Sequence, residues 1–216
     1  MEIVLYGIPV SVFVAKARIA LDFKGLEYDE VEPPGGYGSA AYRAIVPAGS
    51  VPGLTLDGAS FHGSNAIVEL IEELHPDPPL LPAAPHARAL TRALLDFHDN
   101  RLEAAARALF PLVKREWREE PDAVIAGVAA IESALARLED LVRPRPFHLE
   151  ETPTIADMAY PASIQMAEML AAELERPLSP PPMIDEWRRA AAEIPAVARS
   201  LGIAGEAMEL WLAQFR

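Results

Sequence analysis

Along the first eighty residues, strand-length apolar runs alternate with helical periods, and beyond them the helical period continues alone. Ile3–Tyr6 is a short apolar run closed by Gly7 and Pro9. Val14, Ile19, Leu21 and Phe23 then share a helical stretch that Gly25 ends, in the place a glycine takes just past a helix C-terminus. Residues 28–31 alternate like a second strand, and Pro33-Pro34-Gly35-Gly36 breaks the chain. Residues 53–56 and 60–62 flank Asp57-Gly58, a pair that suits the left-handed conformations of a tight hairpin. Ser64 opens an amphipathic helix through Ile67, Val68, Ile71 and Leu74. The order β-α-β, loop, β-hairpin, α predicts a small mixed-sheet domain over residues 1–78.

Prolines cluster between residues 77 and 85, which reads as a stiff connector. After it, Leu90, Leu94, Phe97, Leu102, Leu109 and Val113 roughly keep three-four spacing. So do Val124, Val128, Ile131, Leu135 and Leu138, and again Met158, Ala162, Gln165 and Met169. Pro195 stands where a further helix can begin. Residues 86–216 are therefore expected to form an all-helical domain.

Charge and composition narrow the function. Thirty-two acids against nineteen bases give a net charge of -13, which repels phosphate backbones and anionic membranes, so no nucleic-acid or membrane partner is expected. The absence of cysteine removes disulfides, thiolate metal sites and any mechanism using the protein's own thiol. The longest apolar run, residues 123–131, is too short to span a bilayer, and the start Met-Glu-Ile-Val lacks a basic leader, so a cytoplasmic protein is expected. The five histidines show no metal-ligand spacing, so no metal is expected. Neither a phosphate-binding loop nor a Gly-x-Ser-x-Gly elbow occurs. Glu116, Glu119, Glu120 and Asp122 read as a solvated face.

Several segments, in order along nearly the whole chain, resemble a cytosolic glutathione transferase. They are Leu5-Tyr6, Pro9-Val10-Ser11-Val12-Phe13, Lys16-Ala17-Arg18-Ile19-Ala20-Leu21, Lys24-Gly25, Pro47-Ala48-Gly49-Ser50-Val51-Pro52-Gly53-Leu54, Gly63-Ser64-Asn65-Ala66-Ile67 and Thr154-Ile155-Ala156-Asp157. The motifs are most similar to the serine-type tau-like and zeta-like members. The resemblance implies an α/β thioredoxin-like N-terminal domain, an all-α C-terminal domain, a homodimer, and glutathione as co-substrate for conjugation to a small, mostly apolar electrophile; the alternative is a non-catalytic or weakly catalytic binding or interaction protein on the same fold.

It also assigns roles to residues. Val51, before a Pro52 that is cis in this fold, would pair its main chain with the cysteinyl part of glutathione, as an added strand does. Ser64, at a helix start where free N–H groups and the helix dipole favour an anion, would hold the γ-glutamyl carboxylate. Gly63 stands where the family often has an acid or amide for the ammonium group, with Asn65 or an acid of a partner chain as substitutes, and Ser50 replaces a frequent lysine. Ser11 is the candidate thiolate donor: a charge-assisted hydrogen bond is worth about 1.5–3 kcal/mol, or one to two units on a thiol pKa near 8.5. Tyr6 is the rival donor. The isomerase subgroup of the zeta-like class carries Ser-Ser-Cys-Ser where this chain reads Ser11-Val12-Phe13-Val14, which argues against maleylacetoacetate isomerisation.

An electrophile pocket is expected between Ser11 and the first long helix of the second half, lined by Phe13, His98, Arg101, Leu102 and Ala105, with Met166 and Met169 adding adaptable apolar surface. Thr154-x-x-Asp157 reads as a structural capping box.

Overall fold

A computed structural model of the chain describes residues 2–149 and 151–216. Its sheet has four strands in the order β2-β1-β3-β4. β1 (Ile3–Tyr6) runs parallel to β2 (Asp29–Val31) and antiparallel to β3 (Gly53–Leu56), and β3 pairs antiparallel with β4 (Ala59–His62). The crossover between the parallel strands is α1 (Val12–Phe23), a short α2 (Ala40–Arg43) precedes β3, and α3 (Ser64–Leu74) follows the hairpin. At the hairpin both Asp57 (φ 46°) and Gly58 (φ 86°) adopt the left-handed conformations that let a two-residue loop follow the strand twist.

α1 is buried on nearly every side, because the sheet half lies against one face and α8 and α10 against another. Ser11 caps its start by accepting from Val14 N. Gly25, at φ 66°, ends it: Gly25 N donates to Asp22 O and Leu26 N to Leu21 O, each at 3.0 Å, which satisfies the last free carbonyls.

From residue 85 onward the described elements are helical, apart from connecting loops. α4 (Pro85–Phe97) passes through a π-helical turn, His98–Leu102, into α5 (Glu103–Arg107) and α6 (Phe110–Val113). α7 (Pro121–Leu141), α8 (Ile155–Glu173), α9 (Pro182–Ala192) and α10 (Pro195–Leu212) complete the bundle. α8 sits at its centre and is buried around most of its circumference. One continuous apolar core joins Leu5, Ile19 and Ile67 of the sheet half to Leu102, Ile164 and Trp187 of the helical half. Each fully buried Leu or Ile contributes about 1.5–3 kcal/mol by leaving water, so the two halves are held mainly by this shared interior.

At the start of α8, Asp157 gathers four hydrogen bonds although fully buried. Its Oδ2 accepts from Thr154 N (2.7 Å) and Oγ1 (2.8 Å), and its Oδ1 accepts from His148 N (2.6 Å) and Trp187 Nε1 (2.7 Å). The Thr-x-x-Asp motif thus ties a helix start to a loop and to α9. No helix among the described residues is long and apolar enough to cross a membrane.

Candidate functional site

Two adjoining cavities meet at the N-terminus of α1. The smaller, about 280 Å³, is lined by Phe13, Val51, Pro52, Gly63, Ser64, Asn65, Ala66 and Asp99. The larger, about 540 Å³, is lined by Ser11, Val12, Phe13, Ser50 and Val51 from the sheet half, and by Glu103, Arg107, Phe110, Lys114, Met166 and Trp211 from the helical half, among others. Phe13 and Val51 belong to both, so a molecule in one cavity touches the boundary of the other.

The Val51-Pro52 peptide bond is cis. β3 begins at Gly53, opposite Tyr6 and His62, so Val51 stands just before the ladder starts. The loop is braced by Tyr42, whose buried hydroxyl donates to Ser50 O at 3.0 Å. Gly53 permits that brace: a Cβ there would lie 2.2 Å from Tyr42 Oη. Burial, and then the nearby Tyr6, push the Tyr42 hydroxyl up to about 12, so it stays a donor at any physiological pH.

Ser64 is the first residue of α3 and is 6% exposed. Gly63 precedes it at φ 82°, which turns the chain into the helix. Ile67 N donates to Gly63 O, and the main-chain N–H groups of the turn before it carry the positive end of the helix dipole toward the smaller cavity.

A polar cluster completes that cavity; sequence reasoning singled out Asn65 and His98 in it but gave no site role to Lys16, Asp99 or Ser163. Lys16 Nζ, fully buried, donates to Asp99 Oδ1 (2.7 Å) and Asn65 Oδ1 (2.8 Å), and Asn65 Nδ2 donates to Asp99 Oδ2 (2.9 Å). His98 Nδ1 lies 2.6 Å from Asp99 Oδ1 and its Nε2 lies 2.6 Å from Ser163 Oγ. Burial lowers the His98 pKa despite the Asp99 hydrogen bond, so the imidazole is neutral at pH 7. For Asp99, burial favours the neutral acid, but the hydrogen bond from His98 and the charge of Lys16 outweigh it and hold the carboxyl below its usual value. Burial likewise lowers Lys16, and Asp99 opposes it. The Ser163-His98-Asp99 distances suit a hydrolytic triad, yet Ser163 and His98 are both 0% exposed, so no acyl group reaches the hydroxyl. The available signal was a lysine among the apolar positions of α1, which requires a partner when buried.

Comparison with known proteins gives the family and the fold. A family model, the glutathione S-transferase N-terminal domain, matches residues 5–79. A probable maleylacetoacetate isomerase of Caenorhabditis elegans is 30% identical over 200 residues, covering 89% of this chain and 90% of that protein. The chain belongs to the cytosolic glutathione transferase family. A glutathione S-transferase of Pseudomonas putida is 29% identical over 76% of this chain and 74% of its own. Among solved structures, a tau class glutathione S-transferase from mango superposes with a TM-score of 0.82 at 23% identity, covering 97% of each chain. A theta class enzyme from Xanthomonas axonopodis pv. citri, solved with glutathione bound, gives 0.76 at 27% identity, over 93% of this chain and 97% of that one.

Within this glutathione transferase, Ser11, Ser50, Val51 and Phe13 line the larger cavity, and Val51, Pro52, Gly63, Ser64 and Asn65 the smaller. The Asn65 amide is committed to Lys16 and Asp99, so the carboxylate that faces the smaller cavity is Asp99. Tyr6 lines neither: its ring packs on Tyr42, with centroids 5.7 Å apart. The helical wall differs from expectation. His98 and Leu102 are fully buried in the core, Arg101 is exposed away from the cavity, and Ala105 does not line it. Met166 is a lining residue and Met169 is not. The cause is the π turn, in which Glu103 N donates to His98 O. A wider turn holds one extra residue, so the face counted by α-helical spacing is displaced, and Asp99, Glu103 and Arg107 face the cavities.

Proposed function

We propose that this transferase binds glutathione in the smaller cavity, keeps its sulfur as thiolate beside Ser11, and conjugates it to an electrophile held in the larger cavity. The observation that carries the reading is the shared boundary: Val51, after Ser50 and before the cis Pro52, borders both the cavity with Ser64 and the cavity with Ser11. A tripeptide extended along Val51, with its γ-glutamyl carboxylate on Ser64 and the first turn of α3, brings its sulfur toward Ser11 at the start of α1. The Ser11 hydroxyl and the α1 dipole then favour the thiolate, and joint binding in one cleft supplies much of the rate. Asp99 takes the glutathione ammonium group in place of an acid at position 63. The homodimer implied by the family belongs to the same proposal, as do the domain limits 1–78 and 86–216.

A second reading, maleylacetoacetate isomerisation, is favoured by the names of relatives such as the Caenorhabditis elegans protein. Val12, Phe13 and Val14 leave no further hydroxyl or thiol beside Ser11 there, so conjugation is the stronger reading. Calorimetric titration with glutathione tests the proposal. Binding in the micromolar to low-millimolar range, weakened in Ser64→Ala, supports it, and no binding at several millimolar overturns it.

A further inference from the structure

The larger cavity has a charge imbalance that conjugation alone does not use. Three ionic side chains line it: Glu103, Arg107 and Lys114. Glu103 and Arg107 are bonded to each other and cancel. Lys114 remains, and among the described residues no carboxylate lies within ion-pair distance of it, its ammonium instead standing 5.5 Å from the centre of the Trp211 ring. The chain has only three lysines, and the other two, Lys16 and Lys24, are buried in ion pairs with Asp99 and Glu72. In a protein of net charge -13, the one unmatched lysine thus stands at an apolar cavity walled by Phe13, Phe110 and Trp211. An anion is repelled by most of this surface and attracted there.

We propose that the electrophile is an amphiphilic acid: a flat apolar body packed among Phe13, Phe110 and Trp211, carrying one carboxylate that pairs with Lys114. This rests on the transferase reading and names the substrate class for that site. Aromatic walls suit a ring or conjugated body by offset or edge contacts. The ion pair fixes which end of the molecule faces Ser11, which orients the reacting carbon toward the sulfur. Arg107, already matched by Glu103, contributes its guanidinium face over Phe13 at 5.7 Å and helps to shape the wall.

A matched pair of probes tests this: 4-chloro-3,5-dinitrobenzoate and its methyl ester. With either, the thiolate forms a C–S bond at the ring carbon and chloride departs with the C–Cl electron pair, so no redox partner is involved. Each kcat/KM is divided by the uncatalysed rate constant with glutathione, and the acid-to-ester ratio is the readout. An exposed ion pair at the upper end of its usual strength gives the acid a preference of roughly fivefold. Lys114→Gln should bring the ratio near one, Lys114→Arg should restore it, and Arg137→Gln, which removes a surface cation outside the cavity, should leave it. If Lys114 instead holds the glycyl carboxylate of glutathione, Lys114→Gln raises the KM for glutathione and slows both probes equally, which overturns the inference. Conjugation of both probes with no preference for the acid overturns it while the transferase reading stands. Conjugation of neither overturns that reading and this inference with it.

Discussion

Lys16 Nζ lies 2.7 Å from Asp99 Oδ1, across the seam between the sheet half and the helical half. Lys16 is fully buried, whereas Asp99 keeps 19% of its side-chain surface exposed to the smaller cavity. The pair therefore has a buried end and an end open to the smaller cavity. Asp99→Ala strands a buried cation, and breaking such a pair costs roughly 3 kcal/mol or more. Urea denaturation of Asp99→Ala should show that loss, and the double variant with Lys16→Met should recover part of it. Glutathione affinity, read by calorimetry, should stay weak in the double variant, because the carboxylate facing the cavity is gone in both.

Acid should weaken the fold in two stages. Burial lowers the His98 pKa below its ordinary 6.5, so the unfolded chain takes up a proton that the folded chain refuses. Stability then falls as pH drops from about 6.5 toward the folded value of His98. Asp99 adds a second loss below about 3.8, because its folded pKa is also depressed and its pairing vanishes as it protonates. Thermal midpoints measured from pH 7.5 to 5 should decline in the parent protein and decline less steeply in His98→Asn. Equal slopes in the two would remove His98 from the account.

Ser11→Ala should raise the pKa of bound glutathione by about one to two units, since one charge-assisted hydrogen bond to sulfur is lost. Conjugation at pH 6.5 should fall roughly tenfold or more, and the gap should narrow in alkali, where the thiolate forms unaided. Ser11 also accepts from Val14 N at 3.4 Å, so a capping loss of about 0.5–1 kcal/mol is expected alongside. Ser11→Thr keeps a hydroxyl and should keep most of the activity. A pH–rate profile that does not move in Ser11→Ala would assign thiolate stabilisation to another group.

Asp157→Ala should harm folding at least as much as Asp99→Ala does. It orphans the buried donors Thr154 N, Thr154 Oγ1 and Trp187 Nε1 together, and the half-buried His148 N besides. At about 1–3 kcal/mol per unsatisfied buried group, the loss is at least about 3 kcal/mol. Asp157→Asn, which preserves the shape but loses the charge, should fall between. Thermal denaturation checks the order.

What the sequence made legible was local. Asp57-Gly58, Gly25 and Ser64 each specify a backbone conformation within a few residues, and each turn, cap and helix start lies where those residues put it. Ser11, Val51 and Pro52 were readable because their motifs set the loop before a helix or a strand. The helical wall was not, because the π turn at residues 98–102 has no marker within the helix. It coincides with tertiary bonds: His98 to Ser163, and Tyr160 Oη to Leu94 O at 2.7 Å. The Lys16–Asp99 contact joins residues 83 apart, so neither end announces the other except as a charge on an apolar face.

Arg18 on α1 shows how far this seam constrains change. Its guanidinium holds Glu30 beside β1 and donates to Ser200 Oγ of α10 at 3.0 Å, the same helix that brings Trp211 to the larger cavity. A chimera that swaps in a foreign helical half to alter acceptor preference would have to carry a hydroxyl at position 200 and a carboxylate at position 99. Without the carboxylate Lys16 would lose its counter-charge, and without the hydroxyl one N–H of Arg18 would go unpaired in the joint, so the new preference would come with a less stable protein.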